Sequence, residues 1–271
     1  MAPFKAKVKR PRVALLIESS HGYGRDLLVG IAQYLRVHGP WVVEFEEGNP
    51  CERLPNWFFN SKWDGAILRV KNQVVARMIH KFELPAVDLY GGLPGLKIPT
   101  IRSDENMVGR LAAEHLLERG FRQFAFCGYN GTDWSDMRKA GFEQCVAEAG
   151  FPCQLFQNPR HPFPSHTSDY EEHGAKYELQ LSRWLHSLPK PVGVMTCNDA
   201  RARQIVTLCR EINLRVPDDV AVIGVDKDEI ISELSDLPIS SVILDTRRIG
   251  YEAAALLNRM MQSKTRVTGN F

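Results

Sequence analysis

The sequence predicts an α/β fold built on parallel sheets, in two units of comparable size. Short β-rich apolar runs alternate with longer segments of helical period, the βαβα rhythm that arises when helices cover both faces of a parallel sheet. The series runs once from Arg12 and starts afresh after Ser103-Asp104. With 271 residues, 44% of them hydrophobic and 24% charged, the chain can bury one large core or two smaller ones.

The first unit opens with the strand Arg12-Val-Ala-Leu-Leu-Ile17 and the polar loop Glu18 to Gly24. A helix follows whose apolar positions Leu27, Leu28, Ile31 and Leu35 share one face, and Gly39-Pro40 stops it. Strands are expected at Trp41 to Phe45, Gly65 to Leu68, Pro85 to Leu89 and Thr100 to Arg102, with a helix at Gln73 to Phe82. The second unit begins with a helix from Glu105 to Arg119, capped by Ser103 or Asp104 and stopped at Gly120. Strand Gln123 to Cys127, helix Trp134 to Ala149, a strand near Gln154 to Phe156 and helix Tyr170 to Ser187 come next. Strand Val192 to Thr196, helix Ala200 to Ile212 and strand Val220 to Val225 continue the series. A short strand at Ser241 to Leu244 leads into a last helix, Arg247 to Met261, with an apolar stripe at Ile249, Ala253, Leu256, Leu257 and Met260. Periodicity does not say which unit this helix joins. The stretch Asn158 to Ser168, rich in Pro and His, reads as a long surface loop.

Thirty-four Lys and Arg against thirty-two Asp and Glu leave a formal charge of +2, without the basic surplus that by itself marks a nucleic-acid surface. The local run Lys5, Lys7, Lys9, Arg10, Arg12 is either a solvated tail or a contributor to phosphate attraction. Six cysteines, Cys51, Cys127, Cys145, Cys153, Cys197 and Cys209, show no CxxC pair and no zinc spacing, which fits buried thiols in a reducing compartment. The basic N-terminus lacks the apolar segment of a signal peptide, and no run approaches the roughly 20 apolar residues that span a bilayer. A cytoplasmic protein is expected, with no cofactor, metal or membrane partner.

Candidate binding groups gather in loops that follow strands, where doubly wound sheets take their ligands. His21-Gly-Tyr-Gly-Arg-Asp26 is neither a dinucleotide fingerprint nor a P-loop, but Glu18, Ser19, Tyr23 and Arg25 can hydrogen-bond a hydroxylated ligand. Trp134, Met137 and Arg138 open the helix after Gly128-Tyr-Asn-Gly131; Arg138 offers a fixed fork of donors or is a surface arginine. Asn198 and Asp199 follow another strand, with Asp199 either a plain N-cap or a ligand contact. Asp226, just past Val222-Ile-Gly-Val225, must be solvated or paired, and polyols offer the donors it needs. Tyr170, Trp134, Phe163 or His166 could supply the flat face on which a sugar ring packs, or simply pack internally. No Gly-x-Ser-x-Gly elbow, His-Glu-x-x-His pair or distinctive carboxylate pair is present, so binding rather than catalysis is expected.

In this order the segments Ser103-Asp-Glu-Asn-Met-Val-Gly-Arg-Leu-Ala-Ala-Glu-His-Leu116, Arg138-Lys-Ala-Gly-Phe142, Asn198-Asp-Ala-Arg-Ala202, Val216-Pro-Asp-Asp-Val-Ala-Val-Ile-Gly-Val-Asp226 and Ile239-Ser-Ser-Val-Ile243 resemble the effector domains of LacI/GalR transcription regulators. Asn198-Asp-Ala-Arg-Ala-Arg203, Cys209 and Leu237-Pro-Ile-Ser-Ser-Val242 are most similar to the xylose-responsive branch. The resemblance implies the type I periplasmic-binding-protein fold, with two Rossmann-like lobes and a ligand cleft between them. It places a first lobe at 11–102, completed by 245–263, and a second at 103–244. It also implies that Arg138, Asn198 or Asp199, and Asp226 contact a sugar, D-xylose or another pentose, with the Glu18 to Arg25 loop and Tyr170 lining the pocket. Glu18 and His21 depart from the pattern of a xylose binder. Sugar would shift a homodimer toward a closed state, with the outer helix Gln73 to Phe82 a candidate for its interface. About a dozen residues precede the first strand, too few for a helix-turn-helix reader. Xylose-responsive regulators carry an AraC-type DNA-binding domain at the C-terminus, which here would begin after Phe271. The expectation is a fragment of a longer regulator, with a transporter's solute-binding protein as the rival and a sugar- or nucleotide-converting enzyme as a weaker one.

Overall fold

The computed structural model describes residues 10–48, 53–157 and 174–263. Two compact units divide them: one holds the described residues up to Arg102 and those from Asp245 onward, the other Ser103–Leu244.

The first unit contains β1 (Arg12–Leu16), α1 (Gly22–His38), β2 (Val42–Phe45), α2 (Asn56–Phe59), β3 (Gly65–Leu68), α3 (Gln73–Phe82), β4 (Ala86–Asp88) and a closing helix, Thr246–Ser263. Its strands pair in parallel in the order β2-β1-β3-β4, with Val13 opposite Gly65 and Leu16 opposite Leu68. Successive side chains of a strand point to opposite faces, and both faces of β1 are covered. Val13, Leu15 and Ile17 pack with Leu27 and Ile31 of α1 and with Ala253 and Leu257 of the closing helix. Ala14 and Leu16 pack with Phe58, Val75 and Ile79 on the other side. A run that is apolar throughout, rather than alternating, is the consequence.

The second unit contains α4 (Glu105–Glu118), β5 (Phe124–Cys127), α5 (Asp133–Glu148), β6 (Cys153–Leu155), α6 (Gly174–Ser187), β7 (Val192–Thr196), α7 (Asp199–Glu211), β8 (Val220–Val225), α8 (Glu229–Glu233) and β9 (Ser240–Val242); the closing helix of the first unit is therefore α9. The sheet is parallel in the order β6-β5-β7-β8-β9. Phe124, Phe126, Met195 and Ile223 face Val108, Ala112 and Phe142 of α4 and α5. Ala125, Val194 and Val222 face Leu181, Leu185, Ala202 and Ile205 of α6 and α7.

One device recurs in both units. Where α1 crosses α9, a Cβ added at Gly30 would strike the carbonyl of Arg247, and one at Gly250 the carbonyl of Leu27. Where α4 crosses α5, Gly109 lies against the carbonyl of Arg138 and Gly141 against that of Asn106. Each crossing thus has a glycine on both helices, and the two backbones touch because neither carries a side chain there.

One expected strand is corrected. Thr100 to Arg102 is not a strand: only Thr100 bridges Asp88, because two bonds, Asp88 N–H to the Pro99 carbonyl and Ile101 N–H to the Asp88 carbonyl, are all that form there. The short helices α2 and α8 escape a periodicity reading because one turn shows no period. The α4 cap is Asp104, which accepts from the Met107 amide at 3.0 Å. Helix α6 is described from Gly174; the expected first turn at Tyr170 lies outside the described residues, as do Lys5, Lys7, Lys9, Cys51, Phe163 and His166.

Candidate functional site

In a doubly wound sheet the crevice opens at the carboxyl ends of the strands where the order reverses. In the first unit that point lies between β1 and β3, and in the second between β5 and β7.

At the first switch point, Glu18 follows β1, while Arg69 and Lys71 follow β3. The Glu18 carboxylate is buried and lies 2.9 Å from Lys71 Nζ and 3.6 Å from Arg69 Nη1, with Ser20 donating at 2.9 Å and His21 Nε2 at 3.2 Å. Burial alone would push its carboxyl up, but Lys71, then Arg69 and His21, hold it below the ordinary carboxylate value. The Arg69 guanidinium carbon lies 5.1 Å from the ring centre of Tyr23 and 5.7 Å from that of Tyr90, two cation–π contacts. Arg25 donates to the carbonyls of Ser19 (3.0 Å) and Ser20 (2.8 Å) and braces its own loop. Buried Asp88, at the end of β4, accepts from the amides of Val70, Tyr90 and Gly91, so one carboxylate fixes the loops that follow β3 and β4.

At the second switch point, α5 places Trp134 and Arg138 one turn apart on one face. Arg138 is no surface residue. Its Nε donates to Glu105 at 2.6 Å, its Nη1 donates to the Cys197 carbonyl at 2.6 Å, and its Nη2 lies 3.7 Å from Asp226 Oδ1. Trp134 covers one face of the guanidinium, 4.9 Å from ring centre to Cζ, and Tyr129 meets Trp134 edge to face. The Arg138 and Glu105 side chains are 4% and 5% exposed, whereas Asp226 keeps 22%. The cation is thus locked by buried partners while the carboxylate beside it retains access to solvent. A fixed donor, an acceptor and an aromatic face side by side match what a neutral polyol requires, since each hydroxyl both donates and accepts.

Of the two readings of Asp199, the plain N-cap is corrected. Asn198 caps α7 through the Arg201 amide at 2.9 Å. Buried Asp199 accepts from the Asp228 amide and the Ser241 hydroxyl, each at 2.8 Å. Asp199, one residue past the cap, turns instead toward the ends of β8 and β9. Burial, and then the neighbouring Asp226 and Asp228 carboxylates, push the Asp199 carboxyl up to about 7, against the pull of Ser241 and the Asp228 amide.

The second unit therefore brings Trp134, Arg138 and Asp226 together, with Asn198 and Asp199 on the adjacent loop, and the first gathers Glu18, Tyr23 and Arg25. Tyr170 lies outside the described residues. Arg69, Lys71, Asp88, Glu105 and Ser241 were not singled out in the sequence. For Arg69, Lys71 and Asp88 the signal existed, since each ends or follows a recognised strand. Among the described residues no group of His, Cys, Asp and Glu could hold a metal ion, and no helix is long and apolar enough to cross a membrane. Burial pushes the Cys197 thiol up to about 12, away from any nucleophilic role.

Comparison with known proteins agrees with this architecture. The chain is 28% identical over 266 residues to the xylose operon regulatory protein of Escherichia coli strain K12, covering 94% of this chain and 65% of that protein; it spans about two-thirds of the length of such relatives. A solved structure of a xylose-binding transcription activator matches with a TM-score of 0.82 at 27% identity, over 97% of this chain and 67% of that one. The transcriptional regulator CelR in complex with cellobiose matches with a TM-score of 0.76 at 20% identity, over 97% of this chain and 82% of that one, a likeness of fold alone. The family model for the periplasmic binding protein-like domain matches residues 113–270. With more than half of its residues matched by that model, the chain belongs to the periplasmic binding protein-like domain family.

Proposed function

We propose that this chain is the effector-binding part of a sugar-responsive transcription regulator of the LacI/GalR type and not an enzyme. The observation that carries the reading is Arg138, immobilised by Glu105 and the Cys197 carbonyl beside the partly open Asp226 carboxylate and the Trp134 ring. Arg138 and Asp226 are the proposed sugar contacts, with Trp134 as the apolar face. In the first unit Glu18, Tyr23 and Arg25 belong to the proposed binding loop, and Tyr170 is retained as a proposed aromatic contact. Asn198 is a further proposed sugar contact beside the cap it makes, and Asp199 serves the site through the backbone it fastens. D-Xylose or another pentose is the proposed effector, supported by the likeness to xylose regulators.

In the longer regulator the sugar signal passes to a DNA-binding domain, of the AraC type on the C-terminal side, in a cytoplasmic homodimer. The dimer proposal draws on α2 and α3, where Phe59, packed against Phe82, and Val74 are each about half exposed. Sugar acts by differential affinity for two states of the protein, the only way a ligand moves an equilibrium.

A thermal-shift panel of D-xylose, L-arabinose, D-ribose, D-glucose and ATP tests the reading. One sugar should raise the melting temperature in a saturable manner, as a ligand that binds only the folded state must. A shift with ATP and none with any sugar would overturn it in favour of a nucleotide-using enzyme.

A further inference from the structure

The turn after β8 is built against the preference of its own residues. Asp226 and Lys227 are consecutive non-glycine residues at φ 100° and 51°, where a Cβ crowds the neighbouring backbone and persistence requires outside support. That support is visible amide by amide. Asp226 N–H donates to the Val242 carbonyl at 3.1 Å, Lys227 N–H to Ser241 Oγ at 2.9 Å, and Asp228 N–H to Asp199 Oδ2 at 2.8 Å.

The two side chains in this set are joined, because the Ser241 hydroxyl donates to Asp199 Oδ1 at 2.8 Å while accepting from Lys227. Gly224 makes room for the arrangement: a Cβ there would collide with Asp199 Oδ1. Asp199 has no share in capping α7, which Asn198 does. Both of its oxygens serve the turn, and the turn carries the Asp226 carboxylate to 3.7 Å from Arg138.

We infer that Asp199 and Ser241 are positioning residues for ligand binding: they fasten the 226–228 turn in left-handed space and thereby set where the Asp226 carboxylate stands. This rests on the reading of Asp226 and Arg138 as sugar contacts. It also means that Asp199 acts on the ligand only through Asp226, and that the pair Asp199–Ser241 governs affinity without touching sugar.

Two readouts on the full chain test it: amide exchange at residues 226–228, which needs no ligand, and calorimetric titration with D-xylose and the other sugars of the panel. In Asp199→Ala and in Ser241→Ala the 227 and 228 amides should exchange at least about tenfold faster, and sugar affinity should fall about tenfold or more. Asp199→Asn keeps an acceptor for the Asp228 amide and should lose less. Adding Lys227→Gly to Asp199→Ala should recover several-fold of the affinity, since glycine adopts positive φ freely; a loosened unit would not respond to this change. Asp226→Ala should lose affinity yet keep both amides protected.

Should Asp199→Ala fail to fold, Ser241→Ala decides, because it removes the Lys227 anchor and one bond to Asp199 while leaving the Asp199 carboxylate in place. Protected amides in Ser241→Ala, or exposed amides with undiminished affinity, would overturn the inference while leaving the sugar reading intact. Heat from no sugar, or undiminished affinity in Asp226→Ala, would overturn the sugar reading and the positioning role with it.

Discussion

Glu105 and Arg138 meet at 2.6 Å with both side chains almost wholly removed from solvent. Glu105 is the first residue of α4 and Arg138 lies in α5, so the pair pins the two helices at the point where Gly109 and Gly141 bring their backbones into contact. Such a pair adds little net stability over an apolar replacement, but breaking one partner strands a buried charge.

Glu105→Ala is therefore expected to destabilise the second unit by about 3–5 kcal/mol, and Glu105→Gln by less, because an amide oxygen still accepts from Arg138 Nε. Urea unfolding of the two variants checks this. Equal losses would mean that packing, not charge, sets the cost.

Substituting Gly141 or Gly109 by alanine should cost about 2–4 kcal/mol, since each Cβ would meet a backbone carbonyl of the facing helix that cannot rotate away. Helix propensity alone argues the opposite sign, favouring alanine by about 1 kcal/mol. The sign of the change in melting temperature separates the two effects.

Asp199 should leave a mark on the pH dependence of stability. Its carboxyl stands near 7 against an ordinary 3.8, so the folded state holds a proton that the unfolded chain releases. The stability this group confers is complete below its ordinary value and declines as pH rises through about 7. Wild type should lose up to roughly 4 kcal/mol on this account between pH 4 and 7. Asp199→Asn should lack that part of the slope, as unfolding curves at pH 5 and 8 would show.

Glu18 behaves in the opposite sense. Lys71, Arg69 and His21 hold its carboxyl below the ordinary 4.5 despite burial, so its contribution is present above that value and is lost as pH falls through the lower folded one. Glu18→Gln should destabilise the first unit by about 1–3 kcal/mol at pH 7, and by progressively less in acid. A variant as acid-sensitive as wild type would contradict this assignment.

Much of the fold was legible because both faces of its strands are covered. Val13 to Ile17 and Val220 to Val225 are apolar throughout, and the stripe at Ala253, Leu256, Leu257 and Met260 lies on the α9 face that packs against β1 and α1. The carboxyl-end rule likewise led to Trp134, Arg138 and Asp226, since each follows a strand whose apolar run is unmistakable. What escaped depends on partners distant in sequence. Glu105 looks like an ordinary first-turn acid until its guanidinium, thirty-three positions later, is in place. Asp199 looks like a cap because caps and their neighbours share a composition; only the ends of β8 and β9 reveal which of the two residues turns aside. The left-handed turn at Asp226 and Lys227 carries no glycine to announce it.

The central claim, that this chain binds a sugar through Arg138 and Asp226, is tested most directly by titrating D-xylose into wild type and Asp226→Asn by calorimetry. Saturable heat in wild type, weakened at least about tenfold in the variant, is the predicted result. Equal binding by both proteins would contradict it.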